Sequence, residues 1–185
     1  MVSVTRDRPY SGRDTGLKEN IVLIGMPGCG KSSLGVVLAK ALGYRFVDSD
    51  LLIQENEGRL LSEIIEQDGL IGFKKIEEKV NASIETVRTV IATGGSVVYG
   101  PKAMEHLKSI ADVIYLKLPL HDIEERVGDL NERGVAFEPG QTLGDLYDER
   151  VPLYEKYADI TVNIHDMDIR TAVGQVLSQL GKERL

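Results

Sequence analysis

Residues 21–34 read Ile-Val-Leu-Ile-Gly-Met-Pro-Gly-Cys-Gly-Lys-Ser-Ser-Leu, and this stretch decides the fold. Its first four residues form a short apolar run, which is typical of a strand buried on both faces of a parallel sheet. Residues 25–32 then fit the pattern Gly-x-x-x-x-Gly-Lys-Ser, and apolar residues recur at helical spacing after it. A strand, a glycine-rich loop and a helix in this order predict a loop that binds the phosphates of a nucleotide.

Each residue type in this loop suits a phosphate group. Glycines let backbone N–H groups face the phosphate oxygens, because no Cβ stands in the way. Lys31 supplies positive charge for the β- and γ-phosphates, and Ser32 offers its hydroxyl to Mg²⁺, so we expect ATP and Mg²⁺ as cofactors. The start of the following helix adds the positive end of its dipole. The expected nucleotide-binding residues of the loop are Gly25, Gly28, Cys29, Gly30, Lys31, Ser32 and Ser33.

The chain outside this loop alternates apolar runs with helical patterns. Further strands are predicted at residues 45–48, 90–92, 113–116 and 160–164. Helices are predicted at 34–42, over most of 51–87 with breaks near Gly58 and residues 68–72, after Pro101, after Thr142, and at 168–180. Strands alternating with helices predict an α/β fold of three layers, in which helices cover both faces of a five-stranded parallel sheet.

Length and composition limit the possible functions. The 185 residues favour one domain, predicted over residues 20–185, after a loose polar tail at 1–19. The 22 basic and 29 acidic residues leave a net charge of −7, which argues against a nucleic-acid partner. No apolar run reaches the roughly 18 residues of a membrane helix. We therefore expect a cytoplasmic protein with small-molecule partners, as a monomer or weak oligomer.

Two features of the chain bear on motion and on metal sites. Residues 128–141 are rich in glycine and charge and lie between two predicted helices, which favours a mobile lid. The single cysteine excludes an internal disulfide and a cysteine-built zinc site. The chain's histidines are scattered along the sequence without a second ligand at metal-binding spacing, so no metal is assigned to His106, His121 or His165.

Two carboxylates follow the predicted strand at 45–48. In an extended segment Asp48 and Asp50 point to the same side, toward the crevice at the strand ends where open α/β sheets bind ligands. One carboxylate is then available to Mg²⁺, and the other to the proton of a hydroxyl that attacks the γ-phosphate. The structural alternative is that Asp50 only caps the helix that begins at Leu51.

The motifs together resemble those of shikimate kinases. They are residues 25–32, Asp-Ser-Asp at 48–50, Phe-Lys-Lys-Ile-Glu-Glu at 73–78, Gly-Gly at 94–95 and Arg-Val-Pro-Leu-Tyr at 150–154. Their order and spacing match that family over residues 20 to 180. Its members are small P-loop kinases, similar to nucleoside monophosphate kinases, that use ATP and Mg²⁺ to phosphorylate the 3-hydroxyl of shikimate in aromatic amino-acid biosynthesis. The resemblance implies that activity here.

The resemblance also implies a role for each matching position. Asp48 lies near Mg²⁺, Asp50 contacts the substrate hydroxyl, and Arg133 reaches the phosphates from the lid. Arg150 binds the substrate carboxylate, and Arg126 lies near the adenine. The implied catalytic residues are Lys31, Asp50 and Arg133, and the implied substrate-binding residues are Asp50, Lys74, Gly94, Gly95, Ser96 and Arg150.

Three departures from the family pattern fall on the acceptor side. Lys74 stands where the family has an arginine, and a lysine lacks the planar two-donor fork. Ser96 replaces a third glycine, and Gly-Val-Ala instead of Pro-Leu-Leu follows Arg133. They leave two alternatives open: a kinase for another small carboxylate-bearing alcohol, and a nucleotide-binding module with little phosphotransfer. Lys74 also has a simpler interpretation, as a solvated ion pair with Glu77 or Glu78.

Overall fold

A five-stranded parallel sheet forms the centre of the computed structural model, which describes residues 18–127 and 140–181. Its strands are β1 (Asn20–Ile24), β2 (Arg45–Asp48), β3 (Thr89–Ala92), β4 (Ala111–Lys117) and β5 (Ile160–Asn163). The helices are α1 (Lys31–Leu42), α2 (Ser49–Glu57), α3 (Leu61–Asn81), α4 (Pro101–Ile110), α5 (Leu120–Val127), α6 (Leu143–Tyr157) and α7 (Ile169–Gln179). A 3₁₀ turn spans Val97–Tyr99. The predicted α/β architecture is confirmed.

The sheet order β2-β3-β1-β4-β5 places β1 at the centre. Val22 pairs with Ile91 on one side and with Val113 on the other, and all five residues of β1 are buried. This explains the unbroken apolar run in the sequence. The chain builds β2 and β3 on one side of β1 and then crosses to β4 on the other side. The crevice expected at such a crossover opens at the carboxyl ends of the strands, where the glycine-rich loop follows β1.

Two hydrophobic clusters stabilise the described residues. The larger one packs around the sheet and includes the four apolar residues of β1. The smaller one lies between α2 and α3 and consists of Ile53, Ile64, Phe73 and Val80, with Leu52 packing against both clusters. The acceptor-side motif at 73–78 therefore belongs to a helix with a small core of its own.

Helix boundaries differ from the prediction in three places. The helix predicted from Leu51 begins at Ser49 because Asp48 caps it. The helical pattern predicted as far as residue 87 ends at Asn81. The predicted break at 68–72 is a kink inside α3, where Gly69 takes φ 70° and ψ 174°.

The predicted tail and lid lie almost wholly outside the described residues, which begin at Lys18 and resume at Gly140. Within the described part of the chain, none of the helices has the length and apolar character needed to cross a membrane.

Candidate active site

The glycine-rich loop between β1 and α1 depends on two glycines for its path. Gly25 has φ 147°, and a Cβ there would lie 2.8 Å from the carbonyl oxygen of Leu116. Gly30 precedes α1 with φ 97°, a left-handed conformation that side-chain-bearing residues seldom adopt. The loop therefore turns with its backbone close to the neighbouring strand, and α1 begins at Lys31, directly after it.

Lys31 is buried in this loop. Its Nζ donates to the carbonyl oxygens of Gly25 at 2.8 Å and Met26 at 2.9 Å. The ammonium charge is thus held at the mouth of the predicted phosphate site. The Cys29 side chain is also buried, with its sulfur 3.9 Å from Lys31 Nζ, so only its backbone is available to a nucleotide.

Asp48 links the loop to the end of β2. Its Oδ2 accepts a hydrogen bond of 2.7 Å from the Ser32 hydroxyl, and its Oδ1 accepts one of 3.0 Å from the backbone N–H of Asp50. The prediction that residues 48–50 are extended is therefore wrong. Asp48 is the N-cap of α2, and Asp50 lies in the first turn of that helix. The alternative that Asp50 is the cap is also wrong.

A cavity of about 320 Å³ opens between the loop, α3, the Gly-Gly segment and α6. Asp50 lines it, and burial together with the Asp48 charge raises the pKa of Asp50 to about 6, against an opposing effect of Lys31. Predicted residues that line the cavity are Gly28, Gly30, Lys31, Ser32, Ser33, Asp50, Gly94, Gly95, Ser96 and Arg150. The fold thus brings the two halves of the predicted site together.

Glu77 lines the same cavity, although the only role predicted for it was a solvated ion pair with Lys74. It is only 1% exposed, so the solvated ion pair with Lys74 is not formed by this residue. Its Oε2 accepts a hydrogen bond of 2.6 Å from the Ser96 hydroxyl, and its Oε1 has no hydrogen-bond partner among the described residues. Burial raises the pKa of Glu77 to about 7. Its spacing from Phe73 and Val80 would have placed it on the buried face of α3.

Gly94 separates the two buried carboxylates. A Cβ at this position would overlap Glu77 Oε1 and would lie 2.9 Å from Asp50 Oδ1. Glycine is therefore required here by space. The Ser96 hydroxyl, in contrast, donates to Glu77, which gives the serine in place of a third glycine a structural role.

Tyr99 lies between two of the predicted acceptor-binding cations. The Nε of Arg150 donates to the Tyr99 hydroxyl at 3.2 Å, and its guanidinium carbon is 5.3 Å from the ring centroid. The Nζ of Lys74 is 4.4 Å from the same centroid. Arg150 is 1% exposed and lies well inside α6 rather than at a helix end. Tyr99 was missed because a tyrosine before Gly100 carries no distinctive sequence pattern.

Some predicted residues are not on the cavity wall. Among the described residues, Lys74 contacts the ring of Tyr99, and Asp48 accepts a hydrogen bond from Ser32, which does line the cavity. Arg126 is exposed in the last turn of α5. Arg133 and the rest of the predicted lid up to residue 139 lie outside the described residues.

Replacing Ser96 with Ala should destabilise the protein by about 1–2 kcal/mol, because a buried carboxyl group loses its hydrogen-bond donor. Chemical denaturation at pH 7.5 measures this loss. Ser83→Ala is the control, since that partly buried hydroxyl donates to a backbone carbonyl instead. A smaller loss in Ser96→Ala than in Ser83→Ala would contradict the assigned contact.

The stability of the protein should fall as the pH rises through the titration of Glu77. A carboxyl group whose pKa is raised from 4.5 to about 7 by folding binds its proton more tightly in the folded chain. The stability that it contributes is therefore full below pH 4.5 and is lost as the pH passes 7. Glu77→Gln should remove on the order of 2 kcal/mol of this decline. Unfolding free energies of both proteins at pH 5 and pH 8 test this, and parallel pH profiles would contradict it.

Comparisons of sequence and of fold with known proteins lead to the same family. The family model described as shikimate kinase matches residues 27–181. A shikimate kinase from Haemophilus influenzae is 35% identical over 164 residues, covering 86% of this chain and 91% of its own length. One from Synechococcus is 42% identical over 151 residues, covering 80% and 78%. The structure of the Acinetobacter baumannii shikimate kinase, in complex with shikimate, superposes with a TM-score of 0.79 at 32% identity, covering 90% of this chain and 95% of that one.

Proposed function

The chain belongs to the shikimate kinase family, whose members are ATP-dependent phosphotransferases, and from this premise we propose how it transfers the γ-phosphoryl group of ATP to the 3-hydroxyl of shikimate. The observation that carries the proposal is the shared cavity. It joins the phosphate-binding loop to Asp50 and Arg150, so that a donor and a carboxylate-bearing acceptor meet in one space.

The nucleotide half of the site binds the phosphates of ATP through the loop backbone and the first turn of α1. Lys31 exchanges its contacts with the Gly25 and Met26 carbonyls for the β- and γ-phosphate oxygens, where it stabilises the charge that develops during transfer. Arg133 adds a second positive charge from the lid, and Arg126 lies beside the adenine.

The residues at the loop also fit Mg²⁺. Ser32 Oγ and Asp48 Oδ2 are oxygen donors only 2.7 Å apart, which is the donor type that Mg²⁺ prefers. We assign both residues to the ion. When bound, Mg²⁺ neutralises charge on the β- and γ-phosphates.

The acceptor half fixes the hydroxyl by holding the opposite end of the substrate. Arg150 presents a planar donor fork to the carboxylate of the acceptor. Gly94 and Gly95 leave room for the ring of the substrate between Arg150 and Asp50. Lys74 contributes its charge from behind Tyr99. Ser96 contributes to the acceptor site by donating a hydrogen bond to Glu77, which lines the cavity.

Asp50 receives the proton of the attacking hydroxyl. The acceptor oxygen bonds to the γ-phosphorus, the bond from that phosphorus to the β,γ-bridging oxygen breaks, and ADP leaves. With its pKa at about 6, Asp50 is ionised at neutral pH yet is a stronger base than an exposed aspartate. Positioning and electrostatic stabilisation supply the remainder of the rate enhancement.

Release of ADP from ATP and Mg²⁺, with and without shikimate, tests the proposal. We expect strong stimulation by shikimate and weak stimulation by other hydroxy acids and by amino acids. Equal stimulation by an unrelated hydroxy acid would favour a different acceptor. ATP binding without stimulation by any acceptor would contradict phosphotransfer altogether.

Tyr99→Leu should raise the KM for shikimate about tenfold, because Lys74 loses its aromatic contact and Arg150 loses a hydrogen-bond acceptor. The KM for ATP and kcat should change little. Tyr99→Phe keeps the ring, so its KM for shikimate in steady-state kinetics should lie between those of the unmodified enzyme and Tyr99→Leu. An unchanged KM for shikimate in Tyr99→Leu would remove Tyr99 from the acceptor site.

We propose further that the enzyme serves aromatic amino-acid biosynthesis in the cytoplasm. A single domain over residues 20–185, a monomeric or weakly oligomeric state and small-molecule partners alone stay predictions. The single sheet formed by the described residues supports one domain, and the net charge of −7 argues against a nucleic-acid partner.

A further inference from the structure

Two histidines that are far apart in the sequence meet on the surface, away from the cavity. His121 and Asp122 lie in the first turn of α5, and His165 follows β5 in the loop before α7. His121 Nε2 is 2.7 Å from Asp122 Oδ1, and His165 Nδ1 is 2.7 Å from Asp122 Oδ2. No metal was assigned to these histidines because the sequence places no second ligand at metal-binding spacing, whereas the fold brings both rings to Asp122.

We propose that His121, Asp122 and His165 form a binding site for a divalent transition metal ion, with Zn²⁺ as the ion that it takes. One ligand atom from each residue lies within 4.8 Å of the others. Two imidazole nitrogens and one carboxylate oxygen are a donor set that suits Zn²⁺ rather than Mg²⁺ or Ca²⁺. The exposed side of the cluster leaves the fourth position to water.

The two rings already lie close to the arrangement that a tetrahedral ion requires. Their centroids are 5.6 Å apart and their planes are 79° apart. Zn–N bonds of about 2.0–2.1 Å at tetrahedral angles place two imidazole centroids about 5 Å apart and neighbouring ligand atoms about 3.3 Å apart. The two 2.7 Å contacts are made to different oxygens of Asp122. With one of these oxygens as the ligand, its own nitrogen–oxygen pair must open by about 0.6 Å and the other imidazole must turn toward that oxygen. Side-chain rotation allows this, since His121 is 65% exposed and His165 is 39% exposed.

Asp166 supports His165 from the opposite side of its ring. The Nε2 atom of His165 is 3.1 Å from Asp166 Oδ2, which leaves Nδ1 to face Asp122. A carboxylate on the second ring nitrogen is the usual support for a metal-binding histidine, because it fixes the tautomer and the ring orientation. Asp166 has φ 55°, a left-handed conformation that aspartate and asparagine tolerate better than most residues do.

The surrounding charge is mixed. Asp122 and Asp166 bring two negative charges to the cluster, while Arg126 lies near enough to act on both Asp122 and His165. The positive charge of Arg126 repels a bound cation, so Arg126→Gln should increase the affinity of the site for Zn²⁺. Because the three ligands come from α5 and from the loop after β5, a bound ion joins these two elements and stabilises the folded chain.

Titration of the metal-free full chain with Zn²⁺, followed by calorimetry, and with Co²⁺, followed by visible absorption, tests the site. We expect one equivalent to bind and the melting temperature to rise. Asp122→Asn and His165→Gln should each weaken binding at least tenfold, and Asp166→Asn should weaken it about tenfold. The double variant His121→Gln/His165→Gln should lose the binding and the thermal shift together.

Two controls separate this site from other metal sites. The remaining histidine of the chain is His106, so His106→Gln should bind Zn²⁺ as the unmodified protein does. Excess Mg²⁺ should not displace Zn²⁺, whereas it would compete for the oxygen donors at Ser32 and Asp48. Absence of Zn²⁺ binding, displacement by Mg²⁺, or an unchanged affinity in the folded double variant would each overturn the proposal.

Discussion

Asp50→Asn is expected to lower kcat by about a thousandfold, within the range for loss of a general base. The asparagine keeps the size of the side chain and its place in the first turn of α2, but it does not take up the hydroxyl proton. Affinity for ATP should stay within about threefold, because the phosphate contacts come from the loop and from Lys31. Single-turnover kinetics and nucleotide titration measure the two quantities separately.

The control for this change is Asp68→Asn, which removes a carboxylate that pairs with Arg59 on the exposed side of α3. Its kcat should equal that of the unmodified enzyme. Asp48→Asn should differ from both, since it acts on the contact with Ser32 and therefore on the dependence of the rate on Mg²⁺ concentration. An Asp50→Asn enzyme with full kcat would show that the hydroxyl needs no base from this residue.

Arg150→Lys is expected to reduce kcat/KM for shikimate about a hundredfold, mainly through KM. The charge is retained, but the planar fork that holds a carboxylate through two parallel hydrogen bonds is lost. The shorter reach of a lysine also breaks the contact with the Tyr99 hydroxyl. Steady-state kinetics with shikimate varied at saturating ATP give the KM and kcat separately.

Arg59→Lys is the matched control, because Arg59 forms ion pairs with Glu57 and Asp68 outside the cavity. It should leave both kinetic constants unchanged. Arg150 is buried, so circular dichroism and the KM for ATP must show that Arg150→Lys is folded. A folded Arg150→Lys enzyme with an unchanged KM for shikimate would assign the carboxylate to another residue.

The nucleotide half of the site was predictable because its chemistry is local in sequence. Eight consecutive residues, 25–32, carry the loop, and the strand and helix on either side follow directly from apolar spacing. The same is true of β1, whose residues are all buried and all apolar after Asn20. In this half of the site, residues that are neighbours in the sequence are also neighbours in the structure.

The acceptor half was predictable only in part because its contacts join distant positions. Ser96 and Glu77 are 19 residues apart, and Tyr99 and Arg150 are 51 apart, so no local pattern reveals either pair. Glu77 was misjudged for a different reason: its charge suggested solvent, although its spacing from Phe73 and Val80 indicated the buried face. The cap at Asp48 was missed because the strand was extrapolated through it.

The small cluster between α2 and α3 has a consequence for how this enzyme evolves. Ile53, Ile64, Phe73 and Val80 pack with one another rather than with the buried strands around β1. Substitutions confined to these four side chains should therefore add nearly independently to substitutions around β1, except where both act on Leu52, which packs against both clusters. Sequence changes in the packing between α2 and α3 can then accumulate with little effect on the free energy that the cluster around β1 contributes to folding.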